Sequence, residues 1–261
     1  MLSEHRSGRL VAWGNAWLRG NTSLDSAAEQ VEAHGDEPHR VAGIPGEEGP
    51  TGLTVALGRL RQAGASGFRL ALPRSGDPLG LCGPAPFNQA AMAAGEAVLV
   101  VGAPYGLVPA ITPYGPENDR GHLVRWQVHG IDPDAAPATP SLSEAERELA
   151  AALRDATAEL MRLDVAKWRP EAAEALAAIR GHGRSPQAVL APGYPVRAIK
   201  VLTQAQRLAA IAALAAADDG AAVSATQSRI RATLLTGLER TTRRAQLAAY
   251  HAILEPDRDP D

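Results

Sequence analysis

An α+β or α/β fold is expected, with an N-terminal layered sheet-and-helix part followed by an Ala/Leu-rich four-helix part. Three observations predict it. Seven of the ten aromatic residues precede residue 140. Over the same stretch short β-like runs and turn signals alternate with helical patterns. After Ser143 the chain turns alanine-rich, with 29 of the 52 alanines in residues 151–261 and apolar residues at helical spacing. The change falls in Asp132 to Ser143, DPDAAPATPSLS, whose three prolines suit neither helix nor strand interior. The expected division is 1–140 for the sheet-and-helix part, 141–255 for the helical part and 256–261 for a disordered tail.

Taken in order, Leu10 to Leu18 (LVAWGNAWL) reads as a first strand on the alternation of Val11, Trp13 and Trp17, with Gly14 and Asn15 as interruptions. Ser23 is an N-cap for the helical LDSAAEQVEAHG, which Gly35 stops. Arg40 to Ile44 reads as a second short strand. Leu53, Leu57 and Leu60 recur at helical spacing and predict a helix over Thr51 to Ala63. Phe68 to Leu72 predicts a strand closed by Pro73. Pro86 opens a short helix ending at Gly95. Ala97 to Val101, Leu107 to Ile111 and Leu123 to His129 then form a meander, in which Val124, Trp126 and Val128 alternate with Arg125, Gln127 and His129.

In the helical part, Ser143 and Glu146 form an S-x-x-E capping box. Leu149, Leu153, Ala156, Leu160 and Leu163 follow as one apolar seam. Pro170 starts a second helix that Gly181 ends. Pro195 starts a third, running to Asp218–Gly220. A fourth is expected from Ser224 to Leu254, about 45 Å long at 1.5 Å per residue. Gly237 is its weakest point. Helices this long need partners along their length, within the chain or in another copy.

Charge and composition exclude several classes. The chain has 26 Lys+Arg against 29 Asp+Glu and 45% hydrophobic residues, so disorder is not its dominant state. A single cysteine, Cys82, excludes an internal disulfide framework and a multi-cysteine zinc site. The first twenty residues lack a continuous apolar run, so no signal peptide is expected. The most apolar run, Leu208 to Ala217, is about half the length of a spanning helix. A soluble, cytoplasmic protein without membrane contact is the expectation.

The segment Pro73 to Asn88, PRSGDPLGLCGPAPFN, is where a ligand site would sit. Its glycines lie between a strand and a short helix, where backbone N–H groups hold anions. It lacks the G-K-[ST] end of a P-loop and the G-x-G-x-x-G fingerprint. The ligand-binding candidates are Asp77, Gly80, Gly83 and Asn88, with Glu96 as a further pocket carboxylate. The competing structural reading folds Leu79, Leu81 and Phe87 back onto the sheet as a lid. The stretch from Phe68 to Val101, GDPLGLCGPAPFNQAAMAAGEAVLVVG in particular, followed by YGLVP, resembles conserved actinobacterial proteins without a functional assignment. That resemblance brings no catalytic residue with it.

Neither the seven histidines nor the carboxylates form a recognised metal or acid–base motif, and the histidines, among them the His34–His39 pair and His182 in its G-H-G loop, read as ordinary surface or cap residues. No catalytic residue, cofactor or metal is assigned. In the final helix Arg240, Arg243 and Arg244 share a face by three-and-four spacing and are the partner-binding candidates. Solvated arginines paired with acids of neighbouring helices compete with that reading. An acidic protein partner and a homo-oligomer fit better than nucleic acid, because the net charge is −3. The reading leans away from an enzyme, toward a cytoplasmic interaction or scaffold protein whose helical part mediates oligomerisation or partner binding. The alternatives are a small-molecule-binding protein or enzyme at the Gly76–Asn88 loop, and a nucleic-acid-associated regulator acting through the basic final helix.

Overall fold

The ten buried residues of the chain's first helix explain why a strand was the wrong expectation there. In the computed structural model, which describes residues 5–33, 36–116, 119–132, 139–162, 190–217 and 225–255, Leu10 to Leu18 belongs to helix α1 (Arg6–Leu18). Leu10, Val11, Ala12, Asn15 and Ala16 are all buried to within 1%. A strand would turn alternate members of that run to opposite faces, whereas the helix packs them toward one sheet. Gly14 and Asn15 are packing positions. A Cβ on Gly14 would sit 2.8 Å from the Phe68 ring, so glycine sets how closely the helix lies on the sheet.

The sheet has six strands, β1 (Arg40–Ala42), β2 (Thr51–Gly52), β3 (Gly67–Ala71), β4 (Ala97–Val101), β5 (Tyr105–Tyr114) and β6 (Gly121–Gly130), in the order β2-β1-β6-β5-β4-β3. All neighbours are antiparallel except β1 and β6, which run parallel with Arg40 opposite Arg125 and Val41 opposite Trp126. The sheet is therefore mixed and the fold α+β. Strands β3 to β6 match the four sequence-derived runs, with β5 and β6 extended at their distal ends. Helix α2 (Leu24–Glu32) begins where expected, with Ser23 Oγ accepting from Ser26 N. Helix α3 (Leu53–Gln62) starts two residues late, because Thr51 and Gly52 pair with β1.

Register assigns the two faces. Phe68, Leu70, Val98, Val100, Leu107, Val124, Trp126 and Val128 line one face, on the side of α1. Ala71, Ala97, Leu99 and Val108 line the other, under Phe87 and Ala91 of helix α4 (Ala85–Ala94). Helix α4 stops at Gly95, whose φ of +74° is a left-handed conformation that glycine adopts without Cβ strain. At the outer edge, Asn15 Nδ2 donates to Phe68 O at 2.9 Å and Phe68 N donates to Asn15 Oδ1 at 2.8 Å. One side-chain amide thus takes the place of a neighbouring strand.

The helical unit contains α5 (Leu142–Arg162), α6 (Val196–Ala217) and α7 (Ala225–His251), followed by a 3₁₀ turn at Ala252–Leu254. The capping box sits one frame earlier than expected: Ser141 Oγ accepts from Glu144 N at 3.3 Å and Glu144 Oε2 accepts from Ser141 N at 2.9 Å. Both S-x-x-E frames are present, and Leu142, buried to 7%, fixes the choice as the first helical residue. Leu149 is fully buried and Leu153 half-buried, as the seam requires. The expected helix from Pro170 to Gly181 and the tail 256–261 lie outside the described residues.

Packing divides the chain into two units, and the division is not a single cut. One holds Pro140–Val189 and Pro195–Ala252; the other holds Ser3–Thr139 together with Leu190–Tyr194 and Ile253–Asp261. In the second unit the Tyr194 hydroxyl hydrogen-bonds to the Asn15 side chain, and Leu254 packs at Gly67.

Candidate functional site

The polar groups of the Pro73–Asn88 loop are largely engaged within the loop. Leu72 N donates to Leu79 O, Arg74 N and Asp77 O pair at 2.9 Å, Asp77 N returns to Arg74 O, and Leu81 N donates to Pro78 O. Asn88 closes a ring with Gly83, Oδ1 accepting from Gly83 N at 3.0 Å and Nδ2 donating to Gly83 O at 2.6 Å. Gly80, at φ +78°, lies where a Cβ would come within 2.9 Å of Leu70 O. Leu79 and Phe87 are buried, and Leu81 and Cys82 pack on the α4 cluster. Glu96 is not gathered with Asp77 and Asn88; it accepts from Ser7 N at 2.7 Å in the first turn of α1.

The arginines of α7 do not form one exposed face either. Arg243 is buried to 8% and lies 3.8 Å from Glu239, Arg240 is exposed, and Arg244 forms a bidentate pair with Glu148 of α5 at 2.9 and 3.2 Å. Arg197 Nε donates to Glu146 Oε2 at 2.7 Å, a second pairing of arginine and glutamate within the helical unit. Arg244 thus does what the competing reading expected of it.

A charge cluster that the sequence did not reveal lies at the other end of the sheet. Asp36, its side chain fully buried, takes a bidentate pair from Arg6 of α1, Nε to Oδ2 at 3.0 Å and Nη2 to Oδ1 at 2.6 Å. Arg9 approaches Oδ2 at 3.7 Å, and its Nη1 donates to the final carbonyls of α2 at Val31 and Ala33. His39 is wholly buried, contrary to its reading as a surface residue. Its Nδ1 accepts from Trp126 Nε1 at 3.2 Å, which leaves the ring proton on Nε2 to donate to Asp36 at 3.3 Å. His122 Nδ1 stands 3.5 Å from Asp36 and 3.3 Å from Arg6. Burial drives the Asp36 carboxyl up, but hydrogen bonds from His39 and Arg6 and the charges of Arg6 and Arg9 outweigh it and hold the group at about 2. A carboxylate this saturated is a fastening between α1, the α2–β1 connection and β6. It is a poor proton acceptor near neutrality.

Beside the cluster the sheet is bare. A groove of about 270 Å³ is lined by Glu37, Pro38, Arg40, Leu123, Val124 and Arg125. Arg40 and Arg125 are register partners on adjacent strands and both exposed, and among the described residues no acid stands within ion-pair distance of either. Like charges directly opposed on a sheet cost roughly 0.2–1 kcal/mol. The nearest carboxylate lining the groove, Glu37, accepts from the Tyr114 hydroxyl at 2.6 Å. On the same face Leu123 and Tyr114 are 40% and 41% exposed, and Ala110, Thr112 and Gln127 are exposed too. Helix α4 covers this face only over its other half.

Among the described residues no group of three or more His, Cys, Asp or Glu is placed to hold a metal ion, and no helix is long and apolar enough to cross a membrane. The comparison with known proteins places the chain. No solved structure matches it. Uncharacterized protein Rv1486c of Mycobacterium tuberculosis is 30% identical over 94% of this chain and 96% of its own length. Uncharacterized protein MAV321 of Mycobacterium avium is 27% identical over 88% and 84%. These relatives bear out the resemblance to actinobacterial proteins seen in the Phe68–Val101 stretch. Residues 7–141 match the family model for the N-terminal domain of Rv1486c-like proteins and residues 143–247 that for the C-terminal domain, so the chain belongs to the Rv1486c-like family.

Proposed function

We propose that this protein acts by binding a macromolecular partner, as a cytoplasmic interaction or scaffold protein, and that the bare half of its sheet is the surface used. The uncovered face of β5, β6 and β1 carries the reading. A sheet whose outward residues include leucine and tyrosine is stabilised by a covering layer, and α4 provides one only over the half of the face that holds Ala71, Ala97, Leu99 and Val108. The Asp36 cluster supports the same reading, because its fastenings hold β6 and the Asp36–Arg40 segment rigid beneath that face. Self-association through the helical unit belongs to the proposal; its support is the exposed stretch of α7 around Ala232, Thr236 and Gly237, with Leu234 and Leu235 half-buried beside it.

The test is positional. A photo-crosslinking residue introduced in cells at Thr112 or Gln127 should give an adduct of defined mass, and one at Glu29 or Gln62, exposed on α2 and α3, should not. Adducts at neither pair, or equally at both, would remove the bare face from consideration. Light scattering on the purified chain reports self-association separately.

A further inference from the structure

We infer that the bare strip formed by β5, β6 and β1 receives an acidic amphipathic helix of a partner protein, with carboxylates set between Arg40 and Arg125. This rests on the interaction reading above and names its occupant. Over Arg125–Gln127, where β1 lies beside β6, three strands at 4.7–4.9 Å spacing make a strip about 10 Å across, the diameter of one helix with its side chains, and β5 and β6 continue it toward Gly121. Its length, from Gly121 to Gln127 along β6, is about 20 Å, enough for roughly three to four helical turns. A helix laid there would continue the layer that α4 begins on the same face.

Charge chooses among occupants of that shape. Arg40 and Arg125 stand side by side in register, exposed, with no acid within ion-pair distance among the described residues. Guanidinium forks in this position can donate to carboxylates set between them, which relieves their repulsion. A second copy docking face to face about a twofold axis would instead bring four arginines together. Nucleic acid is opposed by Leu123, Ala110 and Thr112, which set apolar surface beside the two arginines where a phosphate backbone would need a run of further cations. An amphipathic helix with an Ala/Leu stripe and flanking Glu residues satisfies both the apolar and the basic parts of the strip.

The experiment titrates two labelled helical peptides of about 16 residues into the full chain by fluorescence anisotropy, one with an Ala/Leu stripe flanked by Glu and its twin with Lys at every Glu. The Glu peptide should bind, and binding should weaken about tenfold as salt rises from about 50 to 200 mM. The double variant Arg40→Glu/Arg125→Glu should lose at least about tenfold in affinity for the Glu peptide and gain affinity for the Lys peptide. That reversal requires a folded face, so it separates lost charge from lost structure. No binding of the Glu peptide, binding unchanged by the double substitution, or tighter binding of a single-stranded oligonucleotide would each overturn the inference. Photo-adducts at Thr112 that persist when the Glu peptide fails would remove the acidic occupant and leave the interaction reading standing.

Discussion

Replacing Asp36 by Asn removes one charge from the middle of the densest polar cluster in the α/β unit and changes almost nothing in shape. The carboxylate takes a bidentate pair from Arg6, one hydrogen bond from His39 and the field of Arg9 at 3.7 Å. Breaking a buried ion pair from one side costs about 3–5 kcal/mol, because the remaining cation stays desolvated. Arg9, with 3% of its side chain exposed, has nowhere to rehydrate, whereas Arg6 at 16% regains some water and Arg9 keeps its carbonyl acceptors on α2. Those reliefs put the expected loss near the lower bound, about 3 kcal/mol. Urea unfolding followed by tryptophan fluorescence, to which the buried Trp126 contributes, should show a midpoint lowered by about 1–2 M. The pH dependence follows from the carboxyl being held at about 2 when folded against 3.8 when free. The stabilisation is complete above the free value and disappears as pH falls through the folded one, so wild type and variant should differ fully at pH 7 and converge near pH 2. An unchanged midpoint at pH 7, or a difference that widens on acidification, would refute the assignment of Asp36 as an ionised fastening.

Gly14→Ala should destabilise the α/β unit by about 1–3 kcal/mol despite alanine's better helix propensity, since the new methyl meets the fully buried Phe68 ring at 2.8 Å; thermal unfolding measures it. Asn15→Ala leaves the outward N–H and C=O of Phe68 without their partner, which predicts a loss of about 2–3 kcal/mol and faster aggregation by light scattering, as β3 becomes an open edge. Burial pushes the Cys82 thiol up, and Asp132 adds to this against the opposing charge of Arg69, so alkylation by iodoacetamide near pH 7.5 should run slower than for free cysteine. A rate equal to or above that of free cysteine would contradict this.

The sequence was most legible where local chemistry and tertiary packing agree. The strand Ala97 to Val101 and the N-cap at Ser23 appear as read, because an apolar run and a hydroxyl before a helix carry their own instruction. Helix α1 was not legible: Val11, Trp13 and Trp17 alternate by accident, and the residues taken for breakers, Gly14 and Asn15, exist to meet Phe68. The shift of the cap to Ser141 reflects two overlapping frames of one motif, which only the burial of Leu142 distinguishes. The Asp36 cluster was hidden because Arg6, Arg9, Asp36, His39, His122 and Trp126 come from three separate segments. His39 offered one signal, a histidine just ahead of a short strand. The Arg40–Arg125 pair needed the parallel register of β1 on β6, a long-range pairing with no local signature.

The assignment of Leu190–Tyr194 and Ile253–Leu254 to the α/β unit has a consequence for how the chain is made. A ribosome releases Ser3–Thr139 first, and that segment cannot complete its packing at Asn15 and Gly67 until Tyr194 and Leu254 have also emerged. Until then Asn15 lacks its Tyr194 contact and Gly67 its cover from Leu254, so completion of the α/β unit waits on residues that follow most of the helical unit along the chain. A fragment cut at residue 141, where the N-terminal family match ends, lacks both Tyr194 and Leu254 and should therefore unfold at lower temperature than the α/β unit of the full chain.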